Sequence, residues 1–397
     1  MSILSQHGHQ TENITDDGLS MGCVNGVILS PYKLNPDEMT IYARDLRSSH
    51  QKAVLLFDPH FYLSTINNPN AGKLAEYSYF QSGLDMTSFS PNSIQRYVKE
   101  AVRFQNAIDV SSIVSPTIMI GDFNEYQALS SMQLAQATIE YVKKNRIEKP
   151  LLISLTFEES SLKNLEAFKK FLDSITLMDV DGFYVNVKLS DASNYPVCDP
   201  DSLGNLMYLT YVLSTVNEFK VIFGYTDFIT ILLHACGATA SGTGWSTGLR
   251  HLPWSKFDGT GGKGGRTLAR YSSSKLLNSM TVVPDLQAIA GVDLLSDVLS
   301  GSTFDGALSP SPSPDLWPRT TSCLHHWEIL GTLVESVTQD IEIEKKLAIL
   351  RRLITEGLAI YSKLQEAGIS WKQPSSDNRN LLCWKDAIGV FSKRLGI

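Results

Sequence analysis

The chain has 397 residues, of which 43% are hydrophobic and 19% charged. That balance supplies a large α/β core with an appendage and excludes general disorder. The formal net charge of −7 excludes a broad surface for wrapping nucleic acid, because phosphate contacts need Lys and Arg.

The cysteines, Cys23, Cys198, Cys236, Cys323 and Cys383, are odd in number and far apart, with no Cys-x-x-Cys pair. This argues against both a disulfide framework and a closed cysteine zinc site, so no metal and no cofactor are expected. The start of the chain is polar and lacks a charged-then-apolar signal segment. No run approaches the roughly 20 apolar residues that cross a bilayer. The expectation is a cytoplasmic protein with reduced thiols and no membrane contact.

Residues 1–20 are polar and aperiodic, which predicts a flexible tail. Beyond them, short runs rich in β-branched residues alternate with segments of helical period, the pattern of parallel strands buried on both faces. In chain order the strands are expected at 24–30, 53–57, 112–115, 150–155, 182–187, 220–223 and 238–241, with an eighth near 268–271 or 280–283. The intervening helices are expected at 36–48, at 91–107 behind the N-cap Ser90 and Pro91, and at 126–144, 162–177, 201–216 and 228–236. This alternation predicts a TIM-like (β/α)8 barrel over 21–308, with an open doubly wound sheet as the competing topology. No G-x-G-x-x-G follows the first strand, which weakens a dinucleotide reading. A Pro/Ser linker is expected at 309–318, then a C-terminal helical extension at 319–397 with helices near 341–366 and 384–395. That extension offers a surface for a protein partner.

In a barrel, chemistry gathers where strands end. Asp58 follows an apolar strand, so partial desolvation suits it to acid/base work; its alternative role is to start a turn with Pro59. His60 either points into the mouth or packs. If Val185 and Val187 face the helices, Asn186 and Lys188 face the barrel axis, where Lys188 either holds an anion or snorkels to water. Tyr225 lies at the end of the sixth expected strand. Asp227 is expected to cap the next helix, and Glu158 and Glu159 to sit in a helix's first turn.

The run Asp258-Gly-Thr-Gly-Gly-Lys-Gly-Gly-Arg266 exposes backbone N–H groups beside Lys263 and Arg266. Such a loop either cradles an anion or is a mobile surface loop; it is not a Walker A loop. With Lys256, Arg270 and Lys275 it makes 256–275 the most basic stretch, the first place to look for a nucleotide or nucleic acid. His325 and His326 are adjacent on a helix, pointing about 100° apart, so packing suits them better than sharing a metal.

The order of motifs resembles the tRNA-guanine transglycosylase barrel, a family with relatives that place modified guanines in DNA. Val54-Leu-Leu-Phe-Asp58-Pro-His-Phe-Tyr62 resembles the family's strand ending in Asp-Ser-Gly-Gly-Phe. Ser90-Pro91 through Phe104-Gln-Asn-Ala-Ile108 and Ser112-Ile-Val-Ser115 resembles its Ser-Pro-Glu helix, Gln-Asn-Ala-Leu stretch and next strand. Val221-Ile-Phe-Gly224-Tyr-Thr-Asp227 through Ala235-Cys-Gly237 resembles its Gly-Val-Gly-Thr-Pro-Glu-Asp helix and the Ala-x-Gly that follows. The resemblance carries Asp58 onto the family's base-recognising, proton-handling Asp. It departs in three places: Gly242 falls near the nucleophilic carboxylate's position, the Cys-x-Cys-x-x-Cys zinc group is absent, and Pro59-His60 replaces Gly-Gly.

Without a nucleophile, covalent base exchange lacks its central part. The resemblance therefore implies a barrel that binds a nucleobase, a nucleotide or nucleic acid. If it is an enzyme, the chemistry is that of a glycosidic bond, with Asp58 as acid/base and His60, Asn186, Lys188, Tyr225, Lys263, Arg266 and Arg270 as ligand contacts. The alternative is a catalytically silent scaffold subunit of a multi-protein complex, for example one that processes nucleic acid.

Overall fold

Period-two alternation in eight short segments places one apolar side chain from each on a common axis: Leu4, Ile28, Leu56, Val114, Leu152, Tyr184, Ile222 and Ala240. The computed structural model describes residues 2–8, 12–85, 88–190, 195–261, 268–309, 311–371 and 373–397. The segments are β1 (Ser2–Gln6), β2 (Gly26–Leu29), β3 (Val54–Phe57), β4 (Ile113–Val114), β5 (Leu151–Glu158), β6 (Gly182–Lys188), β7 (Lys220–Phe223) and β8 (Ala240–Thr243). All ladders among them are parallel, in the order β3-β2-β1-β8-β7-β6-β5-β4. The two ends of this path meet. Ser111 N–H donates to Leu55 O at 2.7 Å, and Leu55 N–H donates to Ser111 Oγ at 3.0 Å. The fold is therefore a nearly closed (β/α)8 barrel, as the alternation predicts.

Helices α1 (Glu12–Ser20), α2 (Pro36–Ser49), α3 (Pro91–Ala107), α4 (Tyr126–Lys144), α5 (Leu165–Ile175), α6 (Pro200–Tyr211) and α7 (Thr230–Ala235) follow the first seven strands. Their ends obey local chemistry. Asn35 closes a capping box with Glu38 on α2, and Ser90 accepts from Ser93 N–H on α3 with Pro91 first in the helix.

The rank of the strands departs from the sequence reading. Residues 1–20 are not a tail: Ser2–Gln6 is the first barrel strand, paired to both β2 and β8. Ser5 Oγ lies 2.8 Å from Thr15 Oγ1 and Gln6 Oε1 accepts from Tyr225 N–H at 3.2 Å, so low hydrophobicity does not keep the strand out of the core. The stretch expected as the seventh strand is the eighth. The stretches near 268–271 and 280–283 form an antiparallel hairpin outside the barrel, β9 (Arg270–Ser273) with β10 (Asn278–Thr281).

The hairpin belongs to a long insertion between β8 and α8 (Arg319–Thr338). That helix packs against α1 and α7 in the place of the barrel's eighth, and with the two helices after it forms the C-terminal helices that the sequence predicts. The stretch 309–318 is not a free linker. Trp317 is fully buried there and its Nε1–H donates to Arg270 O at 2.9 Å, following a short 3-10 turn at Pro314–Leu316. Helices α9 (Ile343–Glu366) and α10 (Arg379–Leu395) follow α8. Helix α10 crosses α6 so closely that a Cβ on Gly204 would meet Val390 Cβ at 2.6 Å. Among the described residues no helix is long and apolar enough to cross a membrane.

Candidate functional site

One step up seven of the eight strands from the apolar layer, the inward positions become polar or small: Gln6, Ser30, Asp58, Ser154, Asn186, Gly224 and Gly242. This is the mouth of the barrel, and Asp58 is its centre. Asp58 extends the β3 ladder by one bond, its N–H donating to Leu29 O at 3.0 Å, and its side chain is buried with 1% exposure. Its Oδ1 accepts from His60 N–H at 3.0 Å. Its Oδ2 accepts from Tyr184 OH at 3.0 Å, Tyr62 OH at 3.3 Å and Asn186 Nδ2 at 3.3 Å. Burial raises the pKa of both phenols well above the usual value, with the Asp58 charge acting in the same direction, so both remain donors.

His60 sits beside the carboxylate, Nε2 to Oδ2 3.7 Å, and shares a 3.0 Å hydrogen bond with Tyr225 OH. Burial lowers its pKa against the opposing pull of Asp58, which keeps the ring neutral. His60 and Tyr225 both have positive φ, 52° and 54°, a strained state for residues with side chains. The Asp58 bond to His60 N–H secures the first turn; Gln6 Oε1, accepting from Tyr225 N–H at 3.2 Å, secures the second. The structure thus brings Asp58, His60, Asn186 and Tyr225 together.

Several polar atoms of this layer have no protein partner: Gln6 Nε2, His60 Nδ1, Ser154 Oγ, Thr156 Oγ1 and Asn186 Oδ1. They mix donors and acceptors, and each left unsatisfied costs about 1–3 kcal/mol. Gly224 provides room for them. A Cβ there would lie 2.3 Å from both Asn186 Oδ1 and Tyr184 OH. Gly224→Ala is therefore expected to lower stability by about 1–3 kcal/mol and to displace the Asp58 donors. Urea denaturation checks the first effect, and an altered environment of the buried tyrosines in near-ultraviolet dichroism checks the second.

The insertion roofs the mouth. Phe257 meets the His60 ring edge-on at 5.6 Å, and Trp254 lies 6.5 Å from the Tyr62 ring. Asn70 holds this short turn, its N–H donating to Phe257 O at 2.7 Å and its Nδ2 to Lys256 O at 3.2 Å. Lys188 stands on the rim, not beside Asp58. Its Nζ is 2.7 Å from Glu158 Oε1 and 5.0 Å from the centre of the Trp254 ring. Next to Gly224 and Tyr225 is a cavity of about 40 Å³, walled by Tyr195, Leu203, Leu206, Phe228 and Trp384. It has room for one or two waters, not for a ring compound.

Other expected site residues lie elsewhere. Arg270 is buried on β9, bonding Ser279 Oγ at 3.0 Å, Ser376 Oγ at 3.2 Å and two backbone carbonyls. It is remote from the basic surface that the sequence suggested, because the hairpin folds it under the 375–376 turn. Lys263 and Arg266 lie outside the described residues. Asp227 is no helix cap: it accepts from Tyr195 OH and stands 3.3 Å from His326 Nε2. Glu159 does occupy a helical first turn, and it also pins the loop after β6 through Ser190 N–H at 3.0 Å and Asp199 N–H at 2.7 Å. His325 and His326 are both fully buried, consistent with packing. Among the described residues no cluster of His, Cys, Asp and Glu is arranged to hold a metal.

Sequence reasoning missed Gln6, Tyr62, Tyr184, Thr156 and the roof residues Trp254 and Phe257. Tyr184 and Thr156 had a usable signal, since each shares a strand face with a residue at the mouth: Tyr184 is two positions before Asn186, and Thr156 pairs with Asn186 in register. The roof had none, because it comes from a distant insertion. Position 242 leaves no room for a side chain: a Cβ there would meet Ile28 Cδ1 at 2.4 Å and Gln6 Oε1 at 2.9 Å.

No family model matches the chain, and no curated protein matches it. Among solved structures it is similar to dihydrodipicolinate synthase from Oceanobacillus iheyensis, at 9% identity and a TM-score of 0.34, with 100% of this chain and 97% of that chain covered. So slight a likeness says nothing about chemistry, and the chain stands as a (β/α)8 barrel on its own strand order.

Proposed function

We propose that the barrel mouth binds a small, flat, hydrogen-bonding ligand of the nucleobase or nucleotide class, with Asp58 as its acidic contact. One observation carries this reading: the unpartnered donors and acceptors of Gln6, His60, Thr156 and Asn186 surround a buried carboxylate at the end of the barrel where ligands bind. The strained backbone at His60 and Tyr225 supports it, since such strain concentrates at functional sites. The resemblance to the transglycosylase barrel supports the ligand class. Gly242 argues against base exchange through a covalent intermediate, because no second carboxylate faces Asp58 there. Entry requires the Trp254–Phe257 turn to lift, as the mouth is otherwise closed. A nucleotide or nucleic acid near 256–275 fits the same reading.

A separate observation favours a scaffold subunit. Both Asp58 oxygens already accept from protein donors, as a structural carboxylate would. The Asp58→Asn variant separates the two. On the ligand reading, wild type binds guanine in calorimetry and Asp58→Asn binds at least tenfold more weakly, about 1.4 kcal/mol, while remaining folded. If neither protein binds any nucleobase and the variant only loses thermal stability, the scaffold reading stands.

A further inference from the structure

A second polar pocket lies outside the mouth, where the insertion leaves β8 and returns into α8. Arg250 forms its base. It is 3% exposed and makes no ion pair among the described residues. Its Nε–H donates to Gly244 O at 3.2 Å, while the buried Nη1 has no partner. A buried guanidinium without an anion is costly, by several kcal/mol even after relaxation. The pocket also receives Ser246, Thr247, Ser322 and Arg319, the first residue of α8.

The start of α8 adds a second attraction. This helix is 20 residues long and its N-cap, Pro318, supplies no side-chain acceptor. Ser322 N–H closes the first helical turn onto Pro318 O at 2.9 Å, so the N–H groups before it point outward from the positive end of the helix dipole. Arg319 is exposed beside them. Arg270 lines the same pocket, and burial, with the Arg250 charge adding to it, holds it down to about 10 against the pull of Asp285 and Asp227.

We propose that this pocket binds a tetrahedral oxyanion of the phosphate-monoester type, held between the Arg250 guanidinium, the N-terminus of α8 and Arg319. The enclosed part is small, about 10 Å³, so the anion sits at the solvent edge with one face toward Arg319. With Nε given to Gly244 O and Nη1 buried, Arg250 acts on the anion through its permanent charge and its remaining Nη2. The inference stands apart from the mouth reading, since it uses none of the mouth residues.

The test is thermal unfolding of the full chain titrated with inorganic phosphate at constant ionic strength. Wild type is expected to show a saturating rise in Tm, because a ligand bound only to the folded state stabilises it. Arg250→Met is expected to show no saturating rise. Arg319→Glu, an exposed change at a helix start that tolerates acid, is expected to need at least tenfold more phosphate. The general stabilisation that phosphate gives by exclusion from protein surfaces acts on all three alike, so their difference reports the site. Arg319→Glu decides alone if Arg250→Met does not fold.

The source of the anion is read in the same assay. A response to glycerol 3-phosphate, which carries no base for the mouth, stronger than to phosphate and with none to glycerol, assigns a monoester; equal responses to glycerol 3-phosphate and phosphate assign the free ion. The proposal is overturned if wild type shows no saturating rise, or if either charge variant saturates at the wild-type concentration. Asp58→Asn is expected to keep the phosphate response, so a failed mouth reading leaves this result intact.

Discussion

Lowering the pH from 7.5 to 5.5 is expected to remove a large part of the protein's stability, well before carboxylates begin to titrate. The cause is a set of histidines buried as neutral rings. Burial lowers His234 to about 3 and His325 to about 4, and it pushes His326 and His60 down as well. The direction of the effect follows from proton uptake. Above pH 6.5 neither state holds the extra proton, so these groups contribute no pH dependence. Below it the unfolded chain becomes protonated while the folded chain does not, and stability falls with falling pH. The loss ends only near the folded values, about 4 for His325 and about 3 for His234.

Each such histidine removes about 1.4 kcal/mol per pH unit once the unfolded form is fully protonated. His234 and His325 together therefore account for roughly 3 kcal/mol by pH 5.5, with His326 and His60 acting in the same direction. Against a typical total of about 5–15 kcal/mol, this is large. Urea denaturation at pH 7.5, 6.5 and 5.5 measures it. His234 is bonded only to Ser241 Oγ, at 3.1 Å, so His234→Gln keeps a polar group there and is expected to flatten the slope by one proton. Equal stability at pH 7.5 and 5.5 would show that these rings take up protons as readily in the fold as out of it.

The same buried polar groups explain what the sequence did and did not reveal. Periodicity found α3 and α4 to the residue, because Ser90-Pro91 and a long amphipathic run are local signals. It found β2 to β7 because their cores are apolar and largely β-branched, and it placed β8 two residues early, at 238–241, because Ala-Ser-Gly-Thr carries little of either signal. It missed β1 because Ser-Ile-Leu-Ser-Gln carries only two apolar residues, and the groups that receive Ser5 Oγ and Gln6 Oε1, Thr15 and Tyr225 N–H, lie outside the segment. Without β1 every later strand ranks one too low, and the hairpin is left to stand for the eighth.

The site was legible in part for the same reason. Asp58, Asn186 and Tyr225 lie at strand ends, where alternation says which way a side chain points. What could not be foreseen is how tightly the mouth is closed, since Trp254 and Phe257 reach it from an insertion whose path depends on tertiary packing. Arg250 was overlooked because a single arginine in a loop gives no sign of being buried. Lys188 lies two residues beyond Asn186 on the same strand face, and its pairing with Glu158 needed the β5–β6 register.

The assignment of α8 as the eighth barrel helix yields the second large effect. Trp327 on α8 is fully buried, and its Nε1–H donates to Thr243 O at 3.1 Å, at the end of β8. Its ring lies over Gly18 of α1, where an added Cβ would come within 2.6 Å of the indole. Trp327 therefore joins α8 to β8 on one side and to α1 on the other, across the place where the barrel's first and last units meet. Trp327→Ala is expected to cost about 3–5 kcal/mol through the cavity it leaves. The urea midpoint falls with little change in slope if unfolding stays cooperative. A helix merely appended to a finished barrel would lose far less.

The contact with Gly18 gives a sharper test. In wild type, Gly18→Ala is expected to be destabilising, because the methyl group collides with the indole. In the Trp327→Ala background the collision is gone, and alanine is favoured over glycine inside a helix by roughly 1 kcal/mol. The same substitution should then stabilise. Such a reversal of sign in a double-mutant cycle reports direct contact between the two positions. If Gly18→Ala has the same effect in both backgrounds, α8 does not pack against α1, and the eighth place in the barrel belongs to another element.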